Sequence, residues 1–407
     1  MGREKFAKET LSVTDHTSEM MKTIVSLLLP GLLLLAGSSS RGQAWTQIST
    51  NASYDWDGVA VSADGTKLAA TVGSAPGDGI YVSTNSGTSW SQTVSSNDWG
   101  SIVSSADGTR LAVVNLDDSI YTSTNAGVTW NPANSPQNRW SSLASSADGS
   151  VLLAVGELMG TFTISTNYGG TWFSPTNVGY GVAATCSADG SQMAVQMRGT
   201  GQQPIFIVST NTGLTWQPAA ALGSPNDDGV VGSPDGTRLF AWSAGFYMST
   251  NWGASWASTN QGPLGGLFAC SANGSVLLAA ATGIPGTFPL YSSTNYGATW
   301  VTNNVPQEKW TALACSADGN TLVAASSSGG IWMSQTPTAP RLNLSSSNGE
   351  LNFSWIVPST NMVLEQSTDI VNWTMLTNCP SLDLTDLEEQ LTLQPTGSRA
   401  FFRLVSQ

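Results

Sequence analysis

Two phrases recur along this chain and predict an all-β fold made of seven similar units. The phrase S-T-N-x-G-x-S/T-W occurs six times and begins at Ser83, Ser123, Ser165, Ser209, Ser249 and Ser293. The shorter phrase S-x-D/N-G occurs seven times, 38 to 46 residues apart, and begins at Ser62, Ser105, Ser146, Ser187, Ser233, Ser271 and Ser316. A repeat of roughly forty residues is typical of one propeller blade.

Each part of the unit favours short strands and tight turns. Runs such as IVSSADGTRLAVV alternate small or apolar residues with polar ones, which is strand periodicity. Asp-Gly between such runs favours a hairpin, because aspartate bonds its own backbone and glycine accepts a positive φ. In the longer phrase we expect the asparagine oxygen to accept nearby N–H groups, the asparagine backbone to tolerate a left-handed conformation, and the following glycine to supply a positive φ. Four short strands per unit predict four-stranded blades.

The two ends of the repeat region predict a closed ring. The seventh unit begins at Lys309 and reaches Ser334, where QTPTAP replaces the longer phrase. The missing strand is at the other end, because GQAWTQIS (42–49) resembles the end of a longer phrase and the strand after it. We therefore predict a seven-bladed β-propeller over residues 45–336, closed by the N-terminal strand so that no sheet edge stays open.

The last part of the chain differs from the repeats. After a linker at residues 337–340, short strand patterns separated by turn residues predict a small β-sandwich over residues 341–407. The pattern LEQSTDIVNWT…FFRL resembles a fibronectin-III-like module often found in exported bacterial proteins. Trp355 and Trp373 are expected in the core of this module.

Residues 1–44 predict a signal peptide. After Met21 and one lysine, an apolar run extends from Ile24 to Ala36, and the polar segment that follows ends with small residues at Ala44. The polar residues further upstream favour a translation start at Met20 or Met21. A retained membrane anchor is the alternative, which the short run disfavours. We expect a secreted or cell-envelope protein, extracellular or periplasmic.

Charge and histidine content exclude several function classes. Without residues 1–44 the chain keeps nine basic and 23 acidic residues, a net charge of −14, which repels nucleic acid and anionic membranes. The single histidine, His16, lies in the removed segment, so histidine-ligated zinc and a Ser-His-Asp triad are excluded. We expect no cofactor, no metal, no membrane span in the mature chain, and a monomer.

Three of the four cysteines share one repeat position. Cys186, Cys270 and Cys315 directly precede the serine of the shorter phrase, where other repeats carry small or compact residues. Equivalent positions in neighbouring blades are expected to lie too far apart for a disulfide. The three are predicted as buried free thiols, with a Cys270–Cys315 bridge as the alternative.

The longer phrase resembles the Asp-box, or bacterial neuraminidase repeat, S-x-D-x-G-x-T-W. The chain is similar to that superfamily over residues 45–336, with asparagine in place of the usual aspartate at Asn85, Asn125, Asn167, Asn211, Asn251 and Asn295. The superfamily includes sialidases, xyloglucan-cleaving glycosidases, sorting-receptor ectodomains and photosystem II assembly factors. The resemblance implies that these six turns are structural and lie away from the ligand face.

The resemblance gives little support for catalysis. A sialidase needs an arginine clamp, whereas Lys67, Arg110 and Arg238 share one repeat position in different blades. A glycosidase needs two carboxylates that flank a cleft. The carboxylates that precede predicted inner strands form either such a set or solvated loops, and they are Asp55, Asp57, Asp98, Asp227 and Asp228.

The candidate ligand site combines aromatic and acidic residues at the mouth of the central channel. Trp56, Trp99, Trp140 and Trp310 each lie six residues before the serine of the shorter phrase, and Tyr180 is one residue off that register. Together with Asp55 and Asp98, such rings would suit a sugar or a peptide. The alternative is that each tryptophan packs between adjacent blades.

The sequence thus predicts a secreted, non-catalytic propeller that binds a glycan or a protein at the channel mouth. No catalytic residue is assigned. The alternatives are a glycoside hydrolase, sialidase-like or of another Asp-box kind, and an assembly factor for a membrane complex.

Overall fold

The structure is a computed structural model that describes residues 25–26, 44–49, 54–73, 77–95, 98–115, 119–156, 162–175, 180–198, 205–220, 222, 229–242, 245–258, 262, 266–281, 286–336, 342–347, 350–357, 362–378, 380–384, 387–394 and 400–406. Within these ranges every regular element is a β-strand, as predicted. The same ranges contain no helix of the length and apolarity needed to cross a membrane.

Seven antiparallel sheets follow one another along residues 45–335 and are numbered 1 to 7 in chain order. Two N-terminal strands come first, β1 (Val25–Ser26) and β2 (Trp45–Gln47). The strands of sheets 1 to 3 are β3 (Trp56–Val61), β4 (Leu68–Val72), β5 (Gly79–Ser83), β6 (Ser91–Val94), β7 (Trp99–Ser104), β8 (Leu111–Asn115), β9 (Ser119–Ser123), β10 (Asn131–Pro132), β11 (Trp140–Ser145), β12 (Leu152–Gly156) and β13 (Phe162–Ser165).

Sheets 4 to 7 repeat the same order. Their strands are β14 (Tyr180–Cys186), β15 (Met193–Arg198), β16 (Ile205–Ser209), β17 (Gln217–Pro218), β18 (Gly229–Gly232), β19 (Leu239–Trp242), β20 (Phe246–Ser249), β21 (Ala257–Ser258), β22 (Leu267–Cys270), β23 (Leu277–Ala280), β24 (Leu290–Ser293), β25 (Val301–Thr302), β26 (Trp310–Cys315), β27 (Thr321–Ser326) and β28 (Gly330–Gln335). Sheet 3 has three strands, and a bridge between Ile164 and Phe173 stands where the others have a fourth. In sheet 7 the fourth strand is β2, which pairs with β28.

The shorter phrase forms the turn between the first two strands of each sheet. In sheet 2, Ser105 Oγ donates to Asp107 Oδ1 at 2.6 Å, and the same oxygen accepts the amide of Thr109 at 3.0 Å. Gly108 has a φ of 67°, a conformation that glycine adopts at little cost. Burial alone would raise the pKa of Asp107, but these hydrogen bonds outweigh it and lower the pKa. The turn is therefore held by an ionised aspartate.

A ring of seven backbone hydrogen bonds joins these turns from sheet to sheet. The donor–acceptor pairs, at 2.6–2.9 Å, are Ala63–Ala106, Ala106–Ala147, Ala147–Ala188, Ala188–Pro234, Asp235–Ala272, Ala272–Ala317 and Ala317–Ala63. Because proline has no N–H, Pro234 only accepts, and Asp235 supplies the donor instead. The ring returns to its first member, so sheets 1 and 7 are neighbours in a β-propeller.

The longer phrase forms the corner after the third strand. In sheet 2, Asn125 Oδ1 accepts from Ser123 Oγ and the Thr129 amide, while Asn125 Nδ2 donates to Thr129 Oγ1, all at 2.9 Å. The same bonds recur in the other copies, at Asn85, Asn167, Asn211, Asn251 and Asn295. The left-handed residue is the next one, for example Ala126 with a φ of 54°. The glycine that follows also has a positive φ, 81° at Gly127, as predicted.

Two further sheets follow the repeats. One has the order β29 (Asn343–Ser347), β30 (Glu350–Ile356), β34 (Glu388–Leu393) and β33 (Ser381–Asp383). The other has the order β1, β35 (Phe401–Ser406), β31 (Met362–Ser367) and β32 (Thr374–Met375). β1 belongs to the segment predicted as a signal peptide, and it pairs Val25 with Phe402.

The two C-terminal sheets share one core. Trp355 is 1% exposed in it, as predicted, beside Phe353 and Leu404. Trp373 is instead partly exposed, so its predicted core position was wrong. Its indole N–H donates to the Ile370 carbonyl at 3.1 Å, and the guanidinium of Arg403 lies 4.1 Å from its ring centre.

Cys186, Cys270 and Cys315 are free thiols, as predicted. Burial raises the pKa of Cys186 and of Cys270 to about 12, and that of Cys315 well above its ordinary value. All three are therefore protonated near neutral pH, which slows their reaction with electrophiles. Cys379 lies outside the described residues.

Candidate functional site

The first strands of the seven sheets surround a central channel with a cavity of about 580 Å³. Its wall consists mainly of alanine, valine, serine and threonine. Among the described lining residues, Asp57 is the one with a charged side chain. The described part of the channel wall is thus neutral and partly polar, apart from one carboxylate.

The wall hydroxyls connect neighbouring sheets. Ser101 Oγ accepts the amide of Leu143 at 3.3 Å, and Thr185 Oγ1 accepts the amide of Gly232 at 2.9 Å. Ser142 Oγ accepts from Ala184 at 3.3 Å in the same way. These hydroxyls therefore stabilise the contacts between sheets as acceptors. Each still has a proton that it could donate to a ligand.

A bulge directs Asp57 into the channel. The pairing of β3 with β4 shifts register between Trp56 and Gly58, so Asp57 is the extra residue of the bulge. Similar shifts occur in β7, β11, β14 and β26. A bulge turns consecutive side chains in directions that a regular strand does not allow. Here the tryptophan packs between sheets while its neighbour lines the channel.

Three aspartates and one lysine act on each other at this end of the channel. Burial, followed by the charge of Asp55 and then that of Asp98, raises the pKa of Asp57 from 3.8 to about 6. The amide of Gly73, which donates to the carboxylate, and the charge of Lys309 act in the opposite direction. Asp98 and Lys309 are exposed, and Asp55 and Asp57 are half-buried. The channel mouth therefore has an excess of negative charge above pH 6.

The four tryptophans do not form an exposed platform. Trp56, Trp99, Trp140 and Trp310 are only 1–3% exposed. Each belongs to a core cluster with apolar residues of two adjacent sheets; Trp99, for example, packs with Ile80 of sheet 1 and Val113 of sheet 2. The interpretation of these four residues as ligand-stacking rings was therefore wrong, because burial between sheets is favourable for a large aromatic ring. The alternative interpretation, packing between blades, describes them.

The remaining predicted site residues have separate outcomes. Tyr180 begins β14, and its backbone lies opposite Arg198 in β15, while its side chain lies outside the described residues. Asp227 and Asp228 lie outside them as well. Asp55 and Asp98 are brought together with Asp57, which the sequence had offered only as one of several loop carboxylates. The pattern D-W-D at residues 55–57, which places an acidic residue on each side of a buried tryptophan, could have singled out this carboxylate in the sequence.

The described residues contain no group of three or more potential metal ligands. At the channel mouth and along the channel wall they bring together carboxylates and uncharged hydroxyls. Such a set can hold and orient a cationic or hydrogen-bonding group by charge and by donors.

No protein-family model and no curated protein matches this chain. Among solved structures it is similar to YCF48 from Cyanidioschyzon merolae, with 13% identity and a TM-score of 0.55 over 72% of this chain and 99% of that one. YCF48 bound to a D1 peptide gives 14% identity and 0.54, over 74% and 98%. The chain is a β-propeller. A third structure, from a mitotic checkpoint complex, gives 12% identity and 0.56, over 76% and 97%. At such identities the likeness of this propeller to them concerns the fold.

Proposed function

We propose that this protein is a secreted, non-catalytic scaffold that binds an extended, basic segment of a partner protein at the mouth of its channel. The observation that carries the proposal is the position of Asp57. It is the charged group among the described channel-lining residues, and Asp55 and Asp98 lie beside it. A negative mouth above otherwise uncharged channel walls attracts a lysine or arginine side chain.

A protein segment fits this site better than a glycan. Sugar rings are commonly held by stacking on exposed aromatic rings. The four tryptophans near the mouth are buried, and the two described aromatic residues of the channel lining, Trp242 and Phe268, stack on each other with ring centres 4.0 Å apart. The channel wall carries hydroxyls that suit the backbone of an extended peptide. YCF48, a propeller of similar fold, is known in a structure with a D1 peptide. A membrane complex assembled with help from this protein would be one source of such a segment.

The finer architecture is part of the same proposal. Sheets 1 to 7 would be the seven blades of an Asp-box propeller over residues 45–336, with β2 as the closing strand and the mature chain acting as a monomer. The two C-terminal sheets would be a fibronectin-III-like β-sandwich over residues 341–407. Residues 1–44 would be a signal peptide, and N-terminal sequencing of the exported protein should find Trp45 first. A mature chain that still begins upstream of residue 44 would refute the signal peptide.

Panning a library of random linear peptides on residues 45–407 tests the proposed function. We expect enrichment of peptides with lysine or arginine, and binding about tenfold weaker in Asp57→Asn at pH 7.5, because a charge pair is lost. Asp78→Asn is the matched control, since it removes the same charge from the same sheet outside the channel lining. Failure to enrich any peptide, or binding only on a parallel glycan array, would refute the proposal.

One observation favours a second candidate, glycoside hydrolysis. A carboxyl group with a pKa of about 6 is suited to act as a general acid, and Asp55 or Asp98 would then be its partner. Hydrolysis of a panel of aryl glycosides that disappears in Asp57→Asn would establish this candidate in place of the first. Equal background rates for both proteins would eliminate it.

A further inference from the structure

The turns at the other end of the channel surround a socket of small side chains. Six alanines of the shorter phrases are 1–9% exposed: Ala63, Ala106, Ala147, Ala188, Ala272 and Ala317. They form one apolar cluster with Val357 and Leu387 of the C-terminal sheets, and Ile356 packs against it. The cluster thus connects the C-terminal sheets to every sheet of the ring except sheet 5. In sheet 5, proline replaces the alanine.

Leu387 lies in this socket in an unusual conformation. It has a φ of 60°, which leucine seldom adopts and which persists only where the surroundings hold it. Its side chain is 6% exposed, and its carbonyl accepts the amide of Val357 at 2.9 Å. The two residues come from the end of β30 and the start of β34, so a rigid sheet presents them together.

Beneath Leu387 lies a second cavity of about 140 Å³. Cys186 and Cys270 line this cavity and not the main channel, whereas Cys315 lines both. Leu387 is part of the same lining. The two cavities also share Val61, Ser104 and Ser145, so they follow one another along one axis.

We propose that the alanine socket is the docking surface for the C-terminal sheets, and that Leu387 is a stopper that closes this end of the channel. The channel is then a blind tube that a ligand enters at the Asp57 end. This inference concerns contacts within the chain and stands independently of the proposed ligand. It explains why the shorter phrase keeps alanine in six of its seven copies, because a larger side chain would fill the socket.

Thiol alkylation of residues 45–407 tests the stopper, with mass spectrometry to assign the label to each cysteine. In the wild type, Cys186 and Cys270 should react with a maleimide more slowly than Cys315, which the reagent can reach through the mouth. In Leu387→Gly, alkylation of Cys186 and Cys270 should be at least about tenfold faster, because reactivity follows access. Glycine tolerates the positive φ, so the backbone is not strained by the change.

Leu382→Ala is the control, because it shortens an exposed leucine in the same sheet. Faster labelling of Cys186 and Cys270 in Leu387→Gly alone supports the proposal. Unchanged labelling in a folded Leu387→Gly overturns it. If that variant does not fold, the labelling rates in the wild type decide. The proposal is also overturned if Cys186 and Cys270 of the wild type react as fast as Cys315.

Discussion

The amide of Ala317 donates to the carbonyl of Ala63 at 2.9 Å, which joins two turns 254 residues apart in the sequence. Near the opposite end of the same strands, Thr311 Oγ1 donates to the carbonyl of Trp56. Sheets 1 and 7 are thus joined at both ends of the channel, by residues that do not belong to β2. The N-terminal strand adds its contacts at the outer edge of sheet 7, through β28.

Removal of residues 45–49 from the mature chain should therefore weaken the propeller without abolishing the ring. The amide of Ile48 donates to the Ile331 carbonyl at 2.8 Å, and the Ile48 carbonyl accepts from Trp90 Nε1 at 3.0 Å. The amide of Ile331 donates to Ser49 Oγ at 3.0 Å. Loss of these three hydrogen bonds, of about 1 kcal/mol each, and of the pairing of β2 with β28 should lower the free energy of unfolding by at least about 3 kcal/mol. Urea unfolding of chains that start at residues 45 and 50 measures the difference. Equal midpoints would show that β2 contributes nothing to stability.

The corner asparagines should tolerate aspartate but not alanine. Asn125→Ala removes two acceptor bonds and one donor bond and should cost about 2–3 kcal/mol. Asn125→Asp keeps both acceptor bonds, and the Thr129 hydroxyl can rotate to donate, so the cost should stay below about 1 kcal/mol. Asn134→Ala, in an exposed loop, is the control. Thermal unfolding ranks the three variants, and an Asp variant as unstable as the Ala variant would contradict this account.

The fold was largely predictable because each repeat contains the same turn-forming residues at the same spacing. Serine, aspartate or asparagine, and glycine specify the first turn in seven copies, and serine, asparagine and glycine specify the corner in six. The backbone detail was less predictable, because the tolerance of asparagine for a left-handed conformation does not tell which residues of the corner adopt one. In the structure they are Ala126 and Gly127.

The candidate site was predicted less well, because the direction of a side chain at the start of an inner strand depends on a bulge. Alternation alone cannot tell whether Trp56 or Asp57 faces the channel. The bulge places the ring between sheets and the carboxylate in the channel wall. Leu387 belongs to the last part of the chain and lies against alanines from six repeats. No local sequence pattern predicts this long-range contact.

Two buried tryptophans with different polar surroundings give a matched test of the packing role. Trp310 Nε1 donates to the Phe288 carbonyl at 2.7 Å, whereas Trp140 Nε1 has no hydrogen-bond partner among the described residues. Trp310→Phe should therefore cost about 1 kcal/mol more than Trp140→Phe. Either residue changed to alanine should cost about 3–5 kcal/mol, because a cavity forms between two sheets. Alanine variants with wild-type urea midpoints would contradict their packing role.

Stability and ligand binding should depend on pH in opposite directions through Asp57. Its pKa is raised from 3.8 to about 6, so between these values the folded protein binds more protons than the unfolded chain. Stability should therefore fall as the pH rises from about 4 to 6 and level off above, by about 1–2 kcal/mol after allowance for solvent screening at this half-exposed group. The affinity for a basic peptide should rise over the same range, because the carboxylate becomes charged.

Urea unfolding between pH 4 and 7.5 measures this dependence in the wild type and in Asp57→Asn. The variant should lose the fall in stability and should be the more stable protein at pH 7, since an amide in the channel wall has no charge to bury. Asp78→Asn is again the control, because it changes the net charge by the same amount away from the channel. Parallel pH profiles for the wild type and Asp57→Asn would contradict a raised pKa at this position. The negative charge of Asp57 is thus expected to favour binding of a cationic ligand and, at the same time, to lower the stability of the fold.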